Sequence, residues 1–404
     1  MSASIRCGRR APLVALAATF ALASSSPAAS GEIGGEAPFE YVVQAGHTAE
    51  IHALAYARDG RFFASGAKDS TVKLWSPNGT LIRTITTGYW VDEMAISHDS
   101  RSILAAARLG TIRLLSLEGE VLRELPRPSL KLGFVESVAL SPDGRFAAIG
   151  TTARRILVYD LAGSGEVAAP LVLEAPGEKV WGVETLLFTP DGTIISGHGD
   201  GRVRFWSVQG RLEKTLAALD YGVRALALSP DGKTLATAGR PLTSHAGAKE
   251  RGKMHTRLWD IDGRLLGEFS SQGTASLHFT PDGTQLVSGG YFDGQVNFYT
   301  RSGELVRTIT VGRGSLVSPR LIALSPDGRS LITADGSLHP PGLKMWTADG
   351  RFERDMQSFS GAMTNVVVSP DGEQIVTLSG DLRVRVWSPT GRLLGSLEGH
   401  KIYP

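Results

Sequence analysis

The stretch IHALAYARDGRFFASGAKDSTVKLWSPNGTLIRTI, residues 51–85, decides the fold. Short apolar, β-branched and aromatic runs (51–56, 62–65, 71–75 and 81–85) follow one another, with Asp59-Gly60 after the first and Asn78-Gly79 before the last. Runs of this length punctuated by such turns are strands joined as hairpins, and no helical period runs through them. The unit comes back: turns equivalent to the one at Asp59 begin at 99, 143, 191, 231, 282, 327 and 371, which makes eight copies. Ser-Pro-Asp-Gly or Thr-Pro-Asp-Gly stands at 141–144, 189–192, 229–232, 280–283, 325–328 and 369–372. The first two units weaken it to Ala-Arg-Asp-Gly (57–60) and Ser-His-Asp-Ser (97–100). A four-stranded sheet cannot bury both faces alone, so eight in series are expected to close radially, each packed on its neighbours. The expected fold is all-β: a single β-propeller of eight four-stranded blades.

Two segments compete to complete the ring. Glu40 to Ala45 and Leu393 to Glu398 both read as outer strands, and each is followed by Gly-His. The C-terminal one is joined by a local hairpin at Pro389 to Gly391 and needs little loop closure, so it is favoured.

A tryptophan ends the third strand at Trp75, Trp206, Trp259, Trp346 and Trp387, with Tyr159, Tyr299 or Leu115 in its place elsewhere. In these details the chain resembles the WD-repeat β-propellers, over the whole length beyond residue 30. Only Trp259-Asp260 shows the dipeptide that names the family. The resemblance implies a buried tetrad of His47, Ser65, Asp69 and Trp75 that holds blade geometry. Ser196, Asp200 and Trp206 keep three of its members, as do Thr377, Asp381 and Trp387, whereas Leu109 and Ala153 replace the aspartate in the second and third units.

The first thirty residues differ from the rest. Arg6, Arg9 and Arg10 precede an apolar run from Ala11 to Ala23, and small residues follow up to Ser30. This is the layout of a secretory signal peptide, and the run is too short to span a bilayer. The expected organisation is a signal peptide (1–30), a linker (31–38), the propeller (39–400) and a tail (401–404), in a periplasmic or secreted protein of bacterial type. Cys7 is the only cysteine, so residues 31–404 offer no disulfide, thiolate metal site or attached haem. Loss of the leader moves the formal charge from +2 to −1, which gives no footprint for nucleic acid, and no membrane span is expected.

Five residues before each turn, at the start of the innermost strand, stand His52, Asp92, Glu136, Glu184, Arg224, Ala275, Arg320 and Thr364. Three successive acids, with Glu93 beside the first, make one side of this rim acidic. Trp90, Phe134, Trp181 and Tyr221 lie two or three positions further back, confined to units two to five. Rings as anchors and carboxylates that select a basic ligand describe a partner site made of Trp90, Asp92, Glu93, Phe134, Glu136, Trp181, Glu184, Tyr221 and Arg224. The alternative is that each carboxylate meets an arginine of the next blade and each ring covers a core edge. The long insertion from Arg240 to His255 and the loop from Asp335 to Gly342 belong to the same face. His245 and His255 are ten residues apart, a poor metal pattern.

No Gly-x-Ser-x-Gly, His-Glu-x-x-His or Cys-x-x-Cys-His occurs, and the glycines and lysine of a phosphate loop at 247–253 are followed by Met254 where that motif needs Ser or Thr. The expected function is a non-catalytic platform that binds an unidentified protein or peptide, with no cofactor. The competing expectation is a calcium-dependent hydrolase or small-ligand binder whose ion is held by Asp92, Glu136 and Glu184.

Overall fold

The structure is a computed structural model. It describes residues 47–126, 130–163, 165–177, 182–239, 255–270, 274–290, 294–311, 319–335 and 343–356, and beyond these the strands Met363–Val368, Ile375–Ser379, Arg383–Trp387 and Leu393–Glu398. The first unit folds as read: β1 (Ile51–Tyr56), β2 (Phe63–Ala67), β3 (Thr71–Trp75) and β4 (Leu81–Thr86) form one antiparallel sheet in chain order. Seven more sheets of the same order occupy 93–125, 135–174, 183–217, 223–270, 274–310, 319–356 and 363–398.

The turn between the first two strands shows why its sequence recurs. In the third sheet Gly144 N–H donates to Ser141 O at 2.9 Å, and Gly144 sits at φ +71°, where a side chain is disfavoured. The Ser141 hydroxyl donates to Asp143 Oδ1 (2.5 Å), which also accepts Arg145 N–H (3.0 Å). The weakened second unit keeps the bend by placing Ser100 itself at φ +58°.

The ring closes on seven sheets, not the eight that the repeat count predicts. Each innermost strand packs against the next in order, and β1 packs against Pro319–Leu324 of the seventh sheet. Ile51, Phe63, Ala67 and Trp75 share one buried cluster with Ile332, Ala334 and Met345 across that seam. A Cβ on Gly60 would lie 3.9 Å from Pro326, so the turns of the first and seventh sheets touch as well. The apolar face of the first sheet is therefore already covered when the eighth unit is reached. That unit still forms its sheet, and Leu393–Glu398 takes the outer place beside Arg383–Trp387, but it stands outside the closed circuit.

A local irregularity positions the loop face, the end of the ring opposite the Asp-Gly turns. In sheets one and three to eight the first two strands slip register by one residue at the second position of the innermost strand. The residues at the slip are His52, Glu136, Glu184, Arg224, Ala275, Arg320 and Thr364. A bulged residue has no cross-strand partner and escapes the strict in-and-out alternation. Asp92, their counterpart in the second sheet, lies just ahead of its strand and donates its N–H to Ala106 O at 3.0 Å.

Candidate functional site

The tetrad residues of the first sheet meet. Trp75 Nε1 donates to Ser65 Oγ at 2.8 Å, Ser65 Oγ lies 2.6 Å from His47 Nε2, and His47 Nδ1 lies 2.9 Å from Asp69 Oδ2. Burial lowers the His47 pKa against the pull of Asp69. A neutral ring satisfies every contact: Nδ1–H donates to Asp69 and Nε2 accepts the Ser65 hydroxyl. Burial would raise Asp69, but hydrogen bonds from His47, Thr71 and Thr48 N–H outweigh it and hold the acid at about 2. The whole group serves the blade.

The fourth sheet departs from this scheme. Trp206 Nε1 still donates to Ser196 Oγ (2.9 Å), but the imidazole beside Ser196 is His198, at 2.8 Å. Asp200 turns to the buried Arg204 at 2.7 Å. Burial, aided by the Arg204 charge, pushes His198 down to about 3, so it too is neutral. The side chains of Thr377, Asp381 and Trp387 lie outside the described residues.

On the loop face the expected acidic sector is not presented to solvent as such. Arg108, from the connection between the second and third strands of sheet two, donates through Nη2 to Glu136 Oε1 at 2.7 Å. Its own N–H donates to Asp92 Oδ2 at 2.8 Å, and Asp92 Oδ1 is 3.8 Å from His52 Nδ1. Glu184 and Arg224, both candidates, are each other's partners across sheets four and five at 2.9 Å. Glu93 is half-buried within electrostatic reach of Asp92 and Glu136. Burial first, then those two charges, raise its pKa well above the carboxylate range, with Arg108 opposing. Among the described residues no three His, Cys, Asp or Glu side chains gather as a metal-holding group. Asp92 and Glu136 share Arg108 while Glu184 pairs with Arg224, so the three are not gathered as the calcium reading requires. No helix of the described residues is long and apolar enough to cross a membrane.

The aromatic residues divide. Trp90 and Phe134 project into solvent, 59% and 42% exposed. Tyr221 instead packs on the core between the fourth and fifth sheets and donates its hydroxyl to His255 O at 2.9 Å. Trp181, the insertion at 240–254 and the loop at 336–342 lie outside the described residues.

Two residues that the sequence reading did not place in the site belong to it. Leu109 is 64% exposed, and Arg108 is 57% exposed while its partner Glu136 is 19% exposed. The available signal was Leu109 itself, an apolar residue in a polar connection where the first sheet has Asp69.

Residues 40–76, 171–207, 263–300 and 353–388 match the family model described as WD domain, G-beta repeat. The match at 171–207 starts with the outer strand Leu171–Glu174 of the third sheet and ends on the third strand Arg202–Trp206 of the fourth, and the match at 263–300 runs likewise from Leu265–Ser270 to Gln295–Thr300. The chain is 28% identical over 255 residues to autophagy-related protein 16 of Arabidopsis thaliana, covering 59% of this chain and 45% of that protein. It is 23% identical over 352 residues to apoptotic protease-activating factor 1 of Rattus norvegicus, covering 84% and 26% respectively. It is 26% identical over 161 residues to an uncharacterised WD repeat-containing protein of Synechocystis, covering 39% and 41%. The chain therefore spans less than half the length of each of these relatives. With the repeat matched four times and the radial ring on the page, the chain belongs to the WD-repeat family of β-propellers.

Proposed function

We propose that this chain is an exported protein-docking platform with no chemistry of its own, and that its docking surface is the loop face of sheets two and three. WD-repeat proteins act as interaction scaffolds, and the single observation that carries the site is the exposure of Trp90 and Phe134 on that face. Rigid rings in solvent are poor use of apolar surface in a free protein and good anchors for a partner. Mechanism here is presentation. The ring fixes the anchors before contact, so little ordering entropy is lost on docking. The carboxylates nearby support no hydrolytic role, because Glu136 and Glu184 are tied to arginines and Asp92 to a backbone amide.

A photo-crosslinking amino acid placed at 90 or 134, and as a control at Lys233 on the turn face, tests the reading in cells that make the chain with residues 1–30 attached. Adducts are expected from the first two positions alone, with a mass that lacks the leader. Equal yields from all positions would sink the docking site, and adducts that retain the leader would sink the export.

A further inference from the structure

We propose that the patch formed by Trp90, Leu109 and Phe134 docks an acidic peptide segment, one whose aromatic or aliphatic anchor is flanked by carboxylates. The proposal rests on the docking reading above and gives its partner a chemistry.

Among the described residues, the large apolar side chains that stand exposed fall into two sets. Ten of the thirteen lie on outer strands, such as Ile82, Val121 and Leu305, and only Trp90, Leu109 and Phe134 lie elsewhere. These three belong to one surface. Arg108 ties it together: its N–H reaches Asp92, two residues from Trp90, and its carbonyl accepts Val135 N–H at 3.0 Å, next to Phe134.

The loss of the tetrad explains why this surface is apolar. In the first sheet Asp69 caps the preceding loop by accepting Thr48 N–H at 3.0 Å. Leu109 and Ala153 stand at that position in the next two sheets. In the third sheet the loop lies directly on the connection: a Cβ on Gly133 would come 2.6 Å from Ala153 N, leaving no room for a capping acid. Phe134 N–H donates to Thr152 Oγ1 and Phe134 O accepts Thr152 N–H, both at 2.9 Å. The backbone beneath the ring is thus held while the ring stays outside, which is the preorganisation an anchor needs.

Charge selects the partner. The carboxylates of the sector are recessed: Glu136 and Glu184 are neutralised by arginines, and Glu93 titrates above the usual range. The most outward charged groups of the patch are cationic: Arg108 and Lys131 are exposed, whereas Lys68, 6.0 Å from the centre of the Trp90 ring, is balanced by Glu50, which is as open as it is. Such a rim repels a basic ligand and complements a carboxylate-bearing one. The chain is near neutral and the patch offers only two exposed cations, Arg108 and Lys131, so a polyphosphate backbone is the poorer fit.

The test is selection of a displayed random peptide library on the full chain, with counter-selection on the triple variant Trp90→Ser, Leu109→Ser, Phe134→Ser, whose melting is first matched to the parent. The expected peptides combine Phe, Leu or Trp with Asp or Glu. A synthesised member should bind the triple variant at least about tenfold more weakly and Lys131→Glu about threefold more weakly, and should weaken as salt rises. Enrichment of lysine- or arginine-rich peptides that still need the three apolar residues would overturn the charge assignment and leave the docking site standing. Peptides that bind parent and triple variant alike, or no enrichment at all, would overturn the docking site itself. Displacement of the peptide by a single-stranded oligonucleotide at equal concentration would assign the patch to nucleic acid and overturn both.

Discussion

Glu93 stands where the equivalent strands carry Ala53, Ser137, Thr185 and Ala225, so a carboxylate fills a place built for small side chains. Its pKa is raised by burial and by Glu136 and Asp92, and this fixes the sign of its effect on stability. The folded-state value lies above the unfolded one, so the contribution is fully present below about 4.5, the ordinary value, and is lost as pH rises through the folded value. Glu93→Gln removes that loss. The variant should melt like the parent at pH 4 and above it at pH 8, by roughly 2–4 °C for each kcal/mol relieved. Parallel melting curves across that range would show that Glu93 is solvated in both states. The residue type was legible in the sequence, and its protonation was not. Proximity to Glu136, on the next blade, is set by how two sheets pack.

At the scale of the element, the strand ladder and its turns were legible throughout, because hydrogen bonds between neighbouring strands depend on local pattern. The bulge that carries His52, Glu136, Glu184 and Arg224 was visible only as a break in character: at these positions polar residues interrupt an otherwise apolar strand. The tetrad ties one sheet internally, and its removal should be felt as lost stability. Ser65→Ala strips both Trp75 Nε1 and His47 Nε2 of their partner inside a buried site, at a cost of about 1–3 kcal/mol. Thr333→Val, which deletes one acceptor for Trp346 Nε1, should cost less. Chemical denaturation of both variants checks the order, and equal losses would show that His47 contributes nothing through Ser65. Sheet four was only half legible. Ser196 and Trp206 were read as partners, whereas the turn of Asp200 towards Arg204 and the arrival of His198 needed coordinates.

For the whole molecule the decisive event is closure. Because β1 seals against the seventh sheet, truncation directly after Met356 should leave the ring folded, with β-sheet circular dichroism retained and the midpoint within a few degrees of the parent. Collapse of the truncated chain would show that the sheet at 363–398 is needed for closure. Seven Asp-Gly turns, one Asp-Ser turn and five strand-ending tryptophans are enough to specify a radial array of four-stranded sheets and the partners inside each. They say nothing of ring size, because closure depends on the angle between successive sheets summed around the circle, which no single repeat encodes. The same division holds at the loop face. Composition along the chain places acids and rings there. Only the packed structure decides that arginines of neighbouring elements neutralise Glu136 and Glu184 while Arg108 and Leu109 remain in solvent, since ion pairing and exposure are set by distances between residues far apart in sequence.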